Sequence, residues 1–494
     1  MRRQRTIYHN DARHYYLYVH DSPIRMEDAW KPVDEVVGTA VDTFSYCVER
    51  GDGIFYPSKR GMLWGSDKRP FKSATWWNAY ESMKGLIDKG IDPLKLLVGR
   101  AHSKKLDFFA DLRLASYGGM PNEFKIPEGG KGWGHKEVRD HQMLIVKELV
   151  NDYDIDGLEL DFPGFFQKLN EYFRPEEVKQ NIPVMTEWVR QAVKVARAKK
   201  GRPVTVGARI FPSEETNLRY GLDVRTWIKE GLVDFVIPMM FFDLNMDSDM
   251  PLEWVVKLAH EHDCAVYGFM MPFVREDDTI LDDRMMMRWV YADTKVVRGT
   301  MANLWDKGVD GLYTWFWKWP FSEQERSILT ELGDRDLVRL QTKRYPLRRK
   351  SKLGPGLGYD APTPVVIPQA DKSKKYSIPF YISDDIKGDA DHIRNVILKI
   401  HISESVTQDR TPIWLNGQSI EHEKCLRGYA RLDATRDQLL EFYLEKVRPV
   451  KGKNTLEIAL ESRPPGLIGG VTVEEVEVIV EYGPHPNGLF ATVK

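Results

Sequence analysis

The segment DIDGLELDF, Asp154 to Phe162, sets Glu159 and Asp161 two residues apart in a strand-like run. Side chains alternate along a strand, so Gly157, Glu159 and Asp161 share one face, with the two carboxylates about 6 to 7 Å apart. Carboxylates on a buried face must be paired or do chemistry, because an uncompensated buried charge is costly. Hydrolysis of a glycosidic bond uses two carboxyl groups, one to protonate the leaving oxygen and one to act as nucleophile or to activate water. Asp161 is the first candidate for such a role. Glu159 is either a second catalytic carboxyl or a member of an internal ion pair. Further acids follow two later strands: Glu214 and Glu215 in ARIFPSEETN, and Asp243 and Asp247 in PMMFFDLNMD. Asp243 ranks first as the partner of Asp161 and Glu214 next, although loop acids also serve as helix caps or solvated surface groups.

Arg113 ends FFADLRL and Arg209 ends VTVGARI, at corresponding strand-end positions. A guanidinium there can grip a carboxylate or sulfate of a ligand, or neutralise Glu159 and Asp161, and both readings stand. YTWFWKWP turns Tyr313 and Trp315 to one face, and aromatic faces cover the apolar C–H surfaces of sugars while polar tips take hydroxyls. Trp315, Tyr46 and Trp133, with Asp11 at the end of TIYHND, complete the candidate substrate-binding set, and Trp64 could extend the platform. His102, His135 and His141 fall in helical contexts without HExxH or two-histidine-one-carboxylate spacing, so neither a metal nor a cofactor is expected.

Positioning these groups calls for a regular scaffold. Short β-rich runs alternate with longer helical patterns from Thr6 to about Leu332: Thr6 to His9, Ala40 to Val48, Leu106 to Leu112, Gly157 to Phe162, Val204 to Ile210, Phe235 to Met239, Ala265 to Phe269 and Gly311 to Trp315. Helix-like stretches such as HKEVRDHQMLIVKELVNDY and MMMRWVYADTKVVRGTMANLW separate them. Eight such units predict a (β/α)8 barrel, whose chemistry gathers at the C-terminal ends of the strands. No GxGxxG or Walker loop follows a strand, which disfavours nucleotide binding. The long loops ERGDGIFYPSKRGMLWGSDKRPF and ASYGGMPNEFKIPEGGKGWGH lie where binding surfaces are built.

From Lys343 to Lys375 the composition turns basic and rich in Pro and Gly, which predicts a linker or a strap over the barrel. After it, YSIPFYI, NVILKIHI, TPIWLNG, LLEFYLEKV, NTLEIAL and VEEVEVIVEY alternate between turns and predict a small β-sandwich from 376 to 494, an accessory to the barrel of 1 to 342.

Composition narrows the partners. Lys and Arg number 71 against 73 Asp and Glu, a formal net charge of −2, so no global basic field draws the chain to nucleic acid or an anionic membrane. Cys47, Cys264 and Cys425 match neither a zinc spacing nor a disulfide framework. No apolar run reaches the roughly 18 residues of a membrane span, and MRRQRTIYHND lacks the apolar core of a secretory leader. The chain is expected to be soluble, of cytoplasmic origin or exported with a leader removed, and its oligomeric state is open.

IYHND, RAHSKKLDFFADLRL, YDIDGLELDF and LDVRTWIKEGLVDFVIP resemble the strand-end motifs of the family-10-like glycoside hydrolases, barrel proteins of polysaccharide-degrading bacteria. IPFYISDDI and IWLNGQSI are similar to the β-domain that follows the barrel in those proteins. The resemblance spans most of the chain and implies cleavage of a polysaccharide or oligosaccharide. DGLELDF is also similar to the strand-four motif of family-18 chitinases, whose acid lies two residues beyond the last Asp. Pro163 holds that place here, which makes Asp161 a nucleophile or electrostatic stabiliser rather than the partner of such an acid. The expected function is therefore glycoside hydrolysis by two carboxylates, on an anionic glycan if the arginines grip substrate. The alternatives are a non-catalytic carbohydrate-binding barrel and, third, a glycan lyase or esterase, the latter without a GxSxG elbow to support it.

Overall fold

The computed structural model describes residues 4–12, 20–50, 53–114, 120–126, 130–163, 172–239, 245–276, 289–315, 317–350, 359–421, 425–429 and 437–483. Eight parallel strands close into a barrel: β1 (Thr6–Asn10), β2 (Thr43–Arg50), β3 (Asp107–Arg113), β4 (Gly157–Asp161), β5 (Thr205–Ile210), β6 (Phe235–Pro238), β7 (Ala265–Met270) and β8 (Gly311–Thr314). Each pairs with its sequence neighbours, and β1 also pairs with β8, so no sheet edge is left open. All eight sequence-predicted strands are present, with ends shifted by a few residues.

The helices between them are amphipathic and set by local signals. Helix α1 (Lys136–Asp152) covers HKEVRDHQMLIVKELVNDY and buries Val138, Met143, Ile145, Val146 and Leu149 against the sheet. Helix α2 (Thr294–Asp306) starts later than the pattern MMMRWVYADTKVVRG suggested. Asp293 accepts from the Val296 backbone N–H and fixes the helix start there, while Trp289–Tyr291 pairs as a strand with Phe273–Glu276.

The barrel interior is layered. Gly157 and Gly207 stand on the inner face where a Cβ would lie 2.4 Å and 2.0 Å from ring atoms of Phe109 and Phe235. Those two rings stack across the space at a centroid separation of 5.5 Å. The glycines thus make room for an aromatic floor beneath the residues that end the strands. Below it, at the N-terminal end, the Arg5 guanidinium lies 4.9 Å from the Phe109 centroid and donates to Thr43 at 2.8 Å. Gly207→Ala is expected to cost about 1–3 kcal/mol by overpacking this floor, read as a lower melting temperature. An unchanged melting temperature would mean that the Phe235 ring yields freely.

The second region is a two-sheet sandwich with its own apolar core, including Ile378, Leu398, Ile400, Leu456 and Val478. One sheet holds β9 (Lys343–Pro346), β10 (Val365–Ile367), β12 (Ile393–Ser403), β15 (Cys425–Tyr429), β16 (Gln438–Tyr443) and β18 (Val471–Tyr482). The other holds β11 (Tyr376–Ile382), β13 (Ile413–Leu415), β14 (Gln418–Ile420) and β17 (Gly452–Ile458). The stretch expected as a linker or strap differs from that expectation: β9 and β10 lie within it and both pair antiparallel with β18. Their alternation was hidden by surrounding Pro and basic residues, and long-range pairing supplies what local pattern lacked.

The sandwich is docked on α2. A Cβ on Gly299 would lie 2.4 Å from the Arg344 carbonyl oxygen, so the helix and β9 meet backbone to backbone. The Asn303 amide donates to the Ser248 carbonyl at 3.0 Å and the Tyr381 carbonyl at 2.9 Å, tying a barrel loop to β11. Among the described residues, no helix is long and apolar enough to cross a membrane.

Candidate active site

The register of β3, β4 and β5 sets the site. Asp111 lies beside Glu159, and Arg113 beside Asp161, which in turn lies beside Arg209. Period-two alternation turns all five side chains inward above the aromatic floor. His9 and Asp11 from β1 and its end, Ser45 from β2, and Tyr313 and Trp315 from β8 complete the ring of residues. All are almost fully buried.

Arg209 is the hub. Its Nη1 donates to Asp161 Oδ2 at 3.1 Å and lies 3.5 Å from Asp111 Oδ2. Its Nη2 donates to Glu159 Oε2 at 3.0 Å, to His9 Nδ1 at 2.8 Å and to the Tyr313 hydroxyl. The Tyr313 hydroxyl donates a hydrogen bond to Glu159 Oε2 at 2.9 Å, and Ser45 Oγ lies 3.0 Å from the same hydroxyl. Arg113 forms the second bridge, with Nε 3.4 Å from Asp161 Oδ2 and Nη2 3.6 Å from Asp11 Oδ2. Arg50 approaches Asp11 at 3.8 Å. Both guanidiniums lie over the Trp315 ring, Arg113 5.2 Å and Arg209 5.5 Å from its centroid, and the His9 ring stands 4.7 Å away.

A guanidinium has no lone pair to offer, so the short contact from Arg209 makes His9 Nδ1 the acceptor and leaves the ring proton on Nε2. That nitrogen faces Asp111 at 3.8 Å. Burial pushes the carboxyls of Asp111, Glu159 and Asp161 up from their ordinary range, and Arg209 opposes the shift in each. For Arg209 itself burial disfavours charge, but Asp111, Tyr313, Asp161 and Glu159 outweigh it and the guanidinium stays charged. Burial also holds Tyr313 and Cys47 well above their usual values, so both remain protonated.

Of the sequence candidates, the fold brings together Asp161, Glu159, Arg113, Arg209, Trp315 and Asp11. The two arginines engage the carboxylates of the cluster, which is the neutralising arrangement of the two foreseen for them. Five others are placed elsewhere. Tyr46 alternates with Ser45 and Cys47 and points out of the barrel, packing on Phe44 and Phe108, so it is a core residue and not a substrate contact. Trp133 is fully buried edge-on against Tyr172 and Trp188, and presents no face to a ligand. Trp64 is likewise enclosed, between Phe55 and Trp76. Glu214 opens the short helix Glu214–Arg219 and is held by both Nε and Nη2 of Arg225 at 2.5 and 2.8 Å. That grip lowers its pKa, which suits a structural staple and not a proton donor. Asp247 is buried against Arg348 and the Tyr359 hydroxyl. Asp243 lies outside the described residues.

Asp111, Ser45 and Arg50 were missed by sequence reasoning. Asp111 carried a usable signal, since it precedes Arg113 by two residues and must share its face. Among the described residues, no group of three or more His, Cys, Asp or Glu is arranged to hold a metal ion.

No protein-family model matches the chain. A curated protein named glycosyl hydrolase YngK, from Bacillus subtilis strain 168, is 20% identical over 274 residues, which are 45% of this chain and 51% of that protein. The chain thus spans about half the length of the curated relative it matches. Among solved structures, α-L-fucosidase isoenzyme 2 from Paenibacillus thiaminolyticus aligns at a TM-score of 0.42 and 12% identity over 67% of this chain and 48% of the fucosidase. An α-L-fucosidase from Vibrio sp. strain EJY3 aligns at 0.39 and 13% over 97% and 96%.

Proposed function

We propose that the chain is a glycoside hydrolase of the family-10-like kind, cleaving O-glycosidic bonds in an oligosaccharide or polysaccharide. The observation that carries this reading is the state of Asp161. It ends a barrel strand at the face where (β/α)8 enzymes do their chemistry, two guanidiniums approach its Oδ2, and its Oδ1 makes no hydrogen bond among the described residues. Glu159 Oε1 and both carboxyl oxygens of Asp111 are likewise without hydrogen bonds there. A sugar brings several hydroxyl donors, which is the complement such acceptors call for. The name of the Bacillus subtilis relative agrees with this chemistry.

In this reading Asp161 is the ionised carboxylate that meets positive charge developing at the anomeric carbon, as nucleophile or as electrostatic stabiliser. Asp243, a few residues past the end of β6, is the proposed proton donor. Glu159, bound by Arg209 and Tyr313, holds the hub in place. The contacts that join the cluster bring four carboxylates, Asp11, Asp111, Glu159 and Asp161, to three guanidiniums, Arg50, Arg113 and Arg209. Among the described residues each guanidinium of the cluster already faces a carboxylate, so a neutral glycan is the proposed substrate. The barrel of residues 1–342 is read as the catalytic unit and the sandwich as its accessory.

The test is incubation with a panel of neutral and anionic glycans and detection of new reducing ends. Cleavage confined to neutral members is the expected result. Binding by calorimetry without cleavage of any member would instead favour a carbohydrate-binding barrel.

A further inference from the structure

The same cluster points to a role for Asp111, which the proposed reaction does not use. Arg209 Nη1 is contested: it bonds Asp161 at 3.1 Å and stands 3.5 Å from Asp111, whose two oxygens accept no hydrogen bond among the described residues. The other nearby group, His9 Nε2, is 3.8 Å away on a ring whose Nδ1 takes a bond from Arg209. The groups facing Asp111 are His9 from β1, Cys47 from β2, Arg113 on its own strand, Glu159 and Asp161 from β4, and Arg209 from β5. Asp11, Arg50 and Tyr313 lie one step further out. Among the described residues four carboxylates share three guanidiniums in this buried site, so full ionisation would leave one charge uncompensated there, which a protein interior avoids by retaining a proton. The proton belongs on the carboxyl with the poorest donors, and that is Asp111.

We propose that Asp111 holds a proton at neutral pH and is a positioning residue: as a neutral acid it leaves Arg209 Nη1 to Asp161 and so keeps Asp161 ionised. This rests on the reading of Asp161 as the working carboxylate, but the protonation itself can be measured without any substrate. Ionising Asp111 would place a like charge beside Asp161 and divide Nη1 between them, which disfavours the charged form of Asp161. Burial pushes the Asp111 carboxyl well above its ordinary range, in the same direction.

The experiment is infrared difference spectroscopy of the full chain across pH, comparing wild type with D111N, E159Q and D161N. Glu35, lifted by burial to about 7, contributes a protonated-carboxyl band that titrates near neutrality. Asp111 should contribute one that persists above it, at a carbonyl frequency absent from D111N at every pH and kept in E159Q and D161N, where it titrates at lower pH because one carboxylate fewer shares the guanidiniums. A second readout is the pH dependence of stability. A carboxyl raised on folding costs stability as pH rises from its unfolded value through its folded one, so D111N should flatten that slope. Should D111N fail to fold, isotope-labelled aspartate in the wild type separates the band from those of Glu35 and Glu159. Absence of any protonated aspartate band above neutrality in the wild type, or a band missing at every pH from D161N but kept in D111N, overturns the proposal. Either result leaves glycan cleavage to be judged on its own assay.

Discussion

Asp161→Asn is expected to keep the barrel folded and to reduce glycan cleavage by on the order of 10³-fold or more. The amide has nearly the shape of the carboxylate but carries no charge, so it can neither bond the anomeric carbon nor stabilise an oxocarbenium ion. It also leaves Arg113 beside Asp11, and Arg209 beside Glu159 and Asp111, without the Asp161 charge. Some loss of stability should accompany the loss of activity, without loss of the far-ultraviolet dichroism of the fold. Turnover like wild type in a folded D161N protein would remove Asp161 from the mechanism. Glu159→Gln is the matched control, since it perturbs the same guanidinium from a layer below.

Arg209→Met is expected to lower stability by about 3–5 kcal/mol near neutral pH, as breaking a buried ion pair from one side does. The guanidinium is fully buried and serves Asp161, Glu159 and Asp111 at once, so its removal strands three carboxyls in a low-dielectric interior. The sign of the pH dependence follows from linkage. Without Arg209 the carboxyls, already raised by burial, rise further, so the folded state binds protons that the unfolded state releases. The deficit should be largest at neutral pH and shrink as pH falls toward the ordinary carboxylate range. Denaturant midpoints for wild type and R209M across that range provide the measurement. A deficit that does not change with pH would mean the arginine acts through packing alone.

The two variants report different things about one network, and the contrast explains why parts of it were hard to read beforehand. Glu159, Asp161, Arg113, Arg209 and Trp315 each carried a local signal: an inward strand position near the strand end, in a residue type that burial does not tolerate unpaired. Asp111 carried the same signal in the middle of DFFADLRL, two residues before Arg113. Tyr46 faces outward while its neighbour Ser45 faces inward, and a single residue on a strand is the difference between the barrel axis and the helix layer. Trp133 and Trp64 fall in the long loops where binding surfaces are built, but tertiary packing places both in buried aromatic clusters. Glu214 met Arg225, eleven residues away in sequence, a pairing that no spacing rule singles out.

What the sequence determined by itself was the scaffold and the inward face. Eight apolar runs alternating with amphipathic helices, and a later set of alternating strands, are local patterns, and period two alone aligns Gly157, Glu159 and Asp161. Only the tertiary structure decided which charges meet. The register of β3 to β5 put Asp111 beside Glu159 and Asp161 beside Arg209, and closure of β8 onto β1 carried Tyr313, Trp315 and His9 to the same hub. It likewise recruited β9 and β10 from an apparent linker into a sheet. The physical reason is common to all of these. Secondary structure follows from periodicities within a few residues, whereas the pairing of buried charges is settled by contacts between distant segments, where desolvation leaves each charge dependent on partners that the barrel alone brings into reach.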